Sequence, residues 1–409
     1  MKKNHFWDIH LDYSIIGIVL TLLMIGILSV YVAVSHDYPQ MVWSFLGQQL
    51  AWIGMGCVVC LIVTIFSTKF LWKITPFLYL LGLILMVLPL IFYNPNLVAS
   101  TGAKNWVAYG NITLFQPSEF MKIPFILMLS HSIVRFLQRN KGRERWLRQD
   151  WLLIIELTIY TIPVFALLAL QQDLGTALVF LAIFAGLVLI SGVSWKIILP
   201  VVLFIVGGLA GFLFLFLSEG GRAFLHQQLR MPTYQINRIL AWLNPFDYAQ
   251  TTTYQQAQGQ LAIASGGVSG QGFNVSNLLV PVRESDMIFT VIAEDFGFVG
   301  SLVLLILYVF LIYRILKITL QSNNQFYTYI SIGFIMMLVF HIFENVGAVT
   351  GLLPLTGIPL PFISQGGSSI ISNLIGVGLV LSIYNHSSKK KEPEEGVPIR
   401  KKVVLKRAQ

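Results

Sequence analysis

The chain has 409 residues, 56% of them hydrophobic and only 11% charged. Soluble globular proteins carry about 25% charged residues, so that class is excluded and a polytopic membrane protein remains. The net charge of +9 matters through its distribution, because Lys and Arg near span ends mark the cytoplasmic side.

The start, MKKNHFWDIHLDY, is charged. It leads into an apolar run too long for a signal-peptide core, with no small-residue cleavage site, and is read as retained. Crossing a bilayer takes about 20 mainly apolar residues. Such runs occur at 12–34, 43–66, 70–92, 117–138, 151–170, 175–193, 195–217, 287–313, 325–349 and 362–385. The expected fold is an all-α polytopic membrane protein, a bundle of about ten transmembrane helices within residues 1–388. A long extracellular loop, 218–286, separates spans seven and eight. The basic tail, 389–409, is expected to be disordered and drawn to an anionic inner leaflet. Cys57 and Cys60 lie inside an apolar run without partner ligands and read as two small apolar residues.

With both termini cytoplasmic, all but six of the 27 Lys and Arg residues fall inside. The six are Lys104, Lys122, Arg222, Arg230, Arg238 and Arg283. A cation against the topology has a task or merely solvates a loop; for Arg222 and Arg230 the two readings stand even.

The outer segment 93–116 is polar and contains Lys104 and Trp106. Gln116-Pro117-Ser118-Glu119 then opens the fourth span, with Pro117 suited to a first helical turn. Glu119 and Lys122 share a helix face. They form either a self-neutralising pair or, on the sharper reading, a source of positive charge for a cavity also lined by Asp286. Asp173 in Asp173-Leu174-Gly175-Thr176-Ala177 can cap span six, its leading role ahead of substrate contact. In the long loop, PTYQINRILAWLNPFDYAQ mixes Arg238 with Trp242 and Phe246 and resembles an interfacial helix. ASGGVSGQG, 264–272, reads as a flexible turn, and no strand precedes it to make a nucleotide-binding loop.

Pro281–Gly300 passes from a polar loop into an apolar helix. Arg283, Glu284 and Asp286 sit at that transition, with Glu294 and Asp295 about two turns on. Asp286 is an ordinary N-cap or a general base, since crowded carboxylates in a low dielectric raise one pKa. Glu344 lies between His341 and Asn345, a set suited to a hydrogen-bonded neutral cluster. Pro354, Pro359 and Pro361 break the chain before span ten; broken backbone at this depth is tolerated where it is buried or lines a cavity. Ser364, Gln365, Gly366, Gly367 and Ser368, with Ser369, then offer hydroxyls, an amide and backbone N–H groups at a helix start, a candidate phosphate site. No HExxH, Walker A loop, Asp-x-Asp pair or GxSxG occurs, and no metal ligand set is assigned.

Across nearly its whole length the chain resembles the SEDS family, the RodA/FtsW-type peptidoglycan glycosyltransferases. The resemblance rests on GAKNW around Trp106, QPSE with Lys122, DLGTA at 173–177, RILAWLNP at 238–245, ESDMIF at 284–289 and TGIPLPFISQGGSS at 356–369. The rod-elongation branch fits better than the division branch. Two positions depart: Gln172 replaces a proline, putting the rigidity of that turn in doubt, and Glu284 stands where many members have His. The resemblance implies polymerisation of glycan strands from lipid II, with Asp286 matching the family's essential acid. Lys122, Arg238 and Arg283 are candidate cations for the departing diphosphate, with or without a divalent cation, Mg or Mn. It further implies an apolar groove for the polyprenyl tail, a class B penicillin-binding protein partner and other elongation or division proteins. Nucleic acid is not an expected partner. A lipid II flippase and a non-catalytic scaffold are the competing readings.

Overall fold

The computed structural model describes residues 10–110, 112–141, 147–228, 236, 239–240, 242–247, 253–275 and 278–389. Arg230, Arg238 and most of the interfacial segment 232–250 lie outside them, as does the tail beyond Lys389.

Helices α1 (Tyr13–Asp37), α2 (Val42–Thr64) and α3 (Thr68–Ile91) come first. The outer segment after α3 is not plain loop. It holds a short helix, α4 (Pro95–Thr101), and a hairpin pairing β1 (Val107–Tyr109) with β2 (Ile112–Phe115). Then follow α5 (Pro117–Arg139), α6 (Leu147–Gln171), α7 (Leu174–Ile190), α8 (Trp195–Leu217) and α9 (Glu219–Gln227). The remaining helices are α10 (Tyr254–Gly266), α11 (Ile288–Gln321), α12 (Gln325–Val349) and α13 (Gly367–Lys389). Among the described residues nine helices are long and apolar enough to cross a membrane; α7, at 17 residues, is shorter.

Burial orders the bundle. The apolar windows of α5 and α13 are 78% and 83% buried, so these two form its axis, whereas that of α8 is 11% buried. α2 packs along α13, α3 along α5, α7 along α12, and α1 along α11. Ser and Asp side chains cap several starts: Asp12 accepts from Ile15 N–H at 3.0 Å and Asp173 from Thr176 N–H at 3.0 Å.

The loop between α8 and α11 carries more structure than its composition suggests. α10 forms there, and the glycine-rich stretch after it is tied down. Gly297 breaks α11 with φ +62°, ψ −156°, and the carbonyls freed at that break need partners. Gln271 N–H donates to Glu294 O at 2.9 Å and Gly272 N–H to Asp295 O at 3.0 Å, while Phe298 and Val299 donate back to Gly267 and Val268. The turn expected to be flexible is therefore a strap that completes a broken helix, and span eight is not continuous. Ala for Gly inside a helix ordinarily stabilises by about 1 kcal/mol. At Gly266 the added Cβ would lie 1.9 Å from Ala293 O, so Gly266→Ala is expected to lower the unfolding temperature instead, as read in a thermal-shift assay.

The last span also starts later than its hydropathy suggests. Residues 361–366 form a turn, with Phe362 at φ +66°, and the helix begins at Gly367. Gln172 has φ +59°, which proline cannot adopt. Its N–H donates to Ala169 O at 3.1 Å, a bond proline would also remove, so the exchange of proline for Gln172 accompanies a different turn.

Candidate functional site

Asp286 lies in the turn just before α11, partly buried. Three elements hold it. Gln255 on α10 donates its side-chain amide to Asp286 Oδ1 at 3.3 Å and to Pro281 O at 3.1 Å. Asn345 on α12 donates to Asp286 O at 2.7 Å and Ile358 O at 2.9 Å. The Pro-rich segment after α12 comes close at Gly357, where a Cβ would lie 3.8 Å from Asp286 Oδ2.

Burial pushes the Asp286 pKa up from its ordinary 3.8 to about 7. The carboxylate of Glu284 adds to the rise, and hydrogen bonds from backbone N–H groups and Gln255 oppose it. Glu284 is raised in turn by burial, with Asp37 adding. The acids crowding Asp286 are thus not Glu294 and Asp295. Glu294 is ion-paired to Arg283, and Asp295 accepts Asn274 N–H at 3.1 Å. Glu344 is the span acid within electrostatic reach of Asp286, and its carboxylate accepts the Thr356 hydroxyl.

The proposed phosphate loop is joined to this turn. Ser364 Oγ donates to Ser285 O at 2.7 Å and accepts Leu360 N–H at 2.8 Å, and Gln365 N–H donates to Glu284 O at 2.8 Å. Ser368 Oγ accepts Gln116 N–H at 3.0 Å. Ser364 and Ser368 are buried, while Gln365, Gly366 and Gly367 keep partial exposure. The hydroxyls are therefore committed to joining loops, and the amide of Gln365 with the backbone at 366–367 is what remains open to a ligand.

A second cluster lies where α5 and α7 start. Asp173 Oδ2 accepts from Asn105 at 2.9 Å, Gln116 at 3.2 Å and the Thr176 hydroxyl at 2.9 Å. Lys104 N–H donates to Gln171 O at 2.8 Å, and its ammonium lies 4.6 Å from the centre of the Tyr93 ring. Trp106 is partly buried and Ser118 fully so. Gly175 links the clusters, since a Cβ there would lie 2.9 Å from Thr356 O, and Thr356 leads on to Glu344.

Two candidate cations are turned inward. Arg283 is 0% exposed and paired with Glu294. Lys122 is 1% exposed, with Nζ 2.6 Å from Glu119 and 2.8 Å from His341 Nε2. An ammonium only donates, so Nε2 accepts and the proton sits on Nδ1, which donates to Met337 O at 2.7 Å. His341, Glu344 and Asn345 thus serve three different partners and do not form one cluster. Trp242 donates to Gly351 O at 3.1 Å and fastens the outer loop to the turn after α12.

Sequence reasoning missed Gln255. It lies in the Gln-rich run YQQAQGQ, which carries no motif; only the packing of α10 on α11 shows its partner. Replacing it with Leu removes a donor that favours the charged carboxylate. Gln255→Leu is therefore expected to shift the acid limb of a rate–pH profile to higher pH, while a change of fold alone would lower the rate at every pH.

The comparisons with known proteins agree over this whole region. The FTSW_RODA_SPOVE family profile, described as cell cycle protein, matches residues 12–389. MrdB of Escherichia coli K12, a peptidoglycan glycosyltransferase, is 33% identical over 392 residues, covering 94% of this chain and 96% of its own. Stage V sporulation protein E of Bacillus subtilis is 30% identical over 386 residues, covering 92% and 97%. Among solved structures, one from work on "structural coordination of polymerization and crosslinking by a peptidoglycan synthase complex" superposes with a TM-score of 0.71 at 28% identity, covering 92% of this chain and 98% of that one. The rod shape determining protein RodA of Thermus thermophilus superposes with a TM-score of 0.63 at 27% identity, covering 92% and 97%. With the profile and the relatives spanning the bundle from its first helix to its last, the chain belongs to the FtsW/RodA/SpoVE family of cell cycle proteins.

Proposed function

We propose that this chain is a peptidoglycan glycosyltransferase that polymerises glycan strands from lipid II at the outer face of the cytoplasmic membrane, for cell wall elongation and cell shape. The observation that carries the reading is the state of Asp286, a partly exposed carboxylate oriented by Gln255 and raised to about 7. A general base works best with a pKa near the ambient pH. Asp286 takes the proton of the acceptor sugar's 4-hydroxyl as that oxygen bonds to the donor's anomeric carbon. The bond from that carbon to the diphosphate breaks, and undecaprenyl diphosphate departs with its electron pair.

The departing diphosphate needs positive charge. Lys122 and Arg283 are held in buried pairs, whereas Lys104 is partly exposed beside Asn105, which bonds Asp173, and this reading assigns the charge to it. Among the described residues no group of three His, Cys, Asp or Glu gathers to hold a metal. In this reading a Mg or Mn ion comes with the diphosphate rather than on a resident set of described ligands.

The cation distribution supports cytoplasmic termini and an outward-facing Asp286. The likeness to a chain from a complex coordinating polymerisation and crosslinking supports a class B penicillin-binding protein as partner. The test is to supply the purified protein and such a partner with lipid II and no nucleotide, and to read glycan length on a gel. Polymer is expected. Translocation of lipid II in liposomes without polymer from any preparation would favour the flippase instead.

A further inference from the structure

At the end of the bundle opposite Asp286, where α3 starts, α5 ends and α12 starts, the helices leave a cavity of about 310 Å³. Trp72, Val134 and Phe326 form its floor, and Thr68, Lys69, Gln138 and Asn324 its rim. The floor is rigid. Trp72 packs against the His131 ring with centroids 4.0 Å apart and meets Phe326 edge-on at 5.1 Å.

The rim is a set of donors. Lys69 and Gln138 are exposed. Asn324 Oδ1 already accepts Phe326 N–H at 3.0 Å, so the group Asn324 has to offer is its NH2. Among the described residues no carboxylate lines the cavity. Arg135 and Lys141 are exposed at the same end of α5. The neighbouring acid, Glu156, accepts the Ser132 hydroxyl at 2.8 Å and lies 4.0 Å from Arg139. The cavity is thus a neutral aromatic floor inside a cationic collar.

We propose that this cavity binds the phosphate-bearing headgroup of an anionic phospholipid of the inner leaflet, with Lys69 pairing the phosphate and the Trp72–Phe326 floor beneath the glycerol. Basic pockets between membrane helices on the cytoplasmic side take such headgroups. The lipid-facing surface of α3 begins beside the rim, with Phe70 44% and Phe77 66% exposed, and gives the acyl chains a path. A lipid there would bridge the α2–α3 turn, the end of α5 and the start of α12. The inference rests on the inner placement of this end and is independent of the glycosyl-transfer reading.

The test uses the full chain in a neutral detergent, with phosphatidylglycerol or phosphatidylcholine added at equal mole fraction and bound lipid read by native mass spectrometry. One cation near a membrane surface contributes about 1 kcal/mol, which is about fivefold in binding. Phosphatidylglycerol is expected to be retained about fivefold over phosphatidylcholine, and Lys69→Gln to remove that preference. Lys73→Gln, outside the cavity, is expected to leave it intact. Gln138→Leu is a second rim variant, expected to weaken retention about twofold or more. Equal loss in Lys69→Gln and Lys73→Gln would mean diffuse surface charge and would overturn the proposal. So would equal retention of the two lipids, or displacement of phosphatidylglycerol by millimolar inorganic phosphate, which would make this a site for a free anion.

Discussion

Asp286→Asn and Asp286→Ala are each expected to lower lipid II polymerisation by about two to four orders of magnitude, the usual contribution of a positioned base. Asn keeps the shape and the contact with Gln255 but cannot take a proton. Because the base works ionised, the wild-type rate should climb as pH rises through about 7. Stability should move the other way. The folded value of about 7 lies above the ordinary 3.8, so the folded state holds the proton more tightly. That contribution is complete below about pH 4 and is lost as pH rises towards 7. At pH 8 the Asn variant should therefore unfold at a higher temperature than wild type while being inactive. Polymer from Asp286→Asn at the wild-type rate would move the base to Glu284 or Glu119.

The second large effect concerns stability. Arg283 sits in a sequence position that invites a role with the diphosphate, yet it is fully buried against Glu294. Removing one member of a buried ion pair costs about 3–5 kcal/mol, because the other is left charged and unpaired. Arg283→Met is thus expected to produce a large fall in unfolding temperature. Replacing both charges with apolar residues is often neutral or better, so Arg283→Met with Glu294→Leu should recover the loss. If Arg283 instead held the diphosphate, Arg283→Met would keep its unfolding temperature and lose activity, and the double variant would stay inactive.

The strap at 267–272 and the break at Gly297 add a structural reason for the outer loop's length. A broken helix inside a bundle exposes N–H and C=O groups that lipid cannot satisfy. The loop returns to supply them, and in doing so it carries α10, and with it Gln255, onto Asp286. Val282, at φ +54°, stands in the turn between them. A β-branched residue rarely adopts that conformation, and strain of this kind gathers at functional sites.

The sequence by itself determined the fold class and most of the apolar runs, and it offered Asp286 as a candidate acid. Those follow from one-dimensional signals: runs of apolar residues long enough to cross a bilayer, cations asymmetrically placed between them, and a polar loop running into a helix at Asp286. What it could not determine is which charges neutralise each other. Arg283 and Glu294 are eleven positions apart across a turn, and Lys122 meets His341 from a helix more than two hundred residues away. Periodicity carries no sign of either pair. The break at Gly297 was hidden for the same reason, since its partners lie in a glycine-rich stretch whose composition reads as flexible until it is packed. Gln255 is the sharpest case. Its amide is unremarkable in a run of glutamines, and only the docking of α10 beside the turn at 281–287 makes it the group that orients the carboxylate.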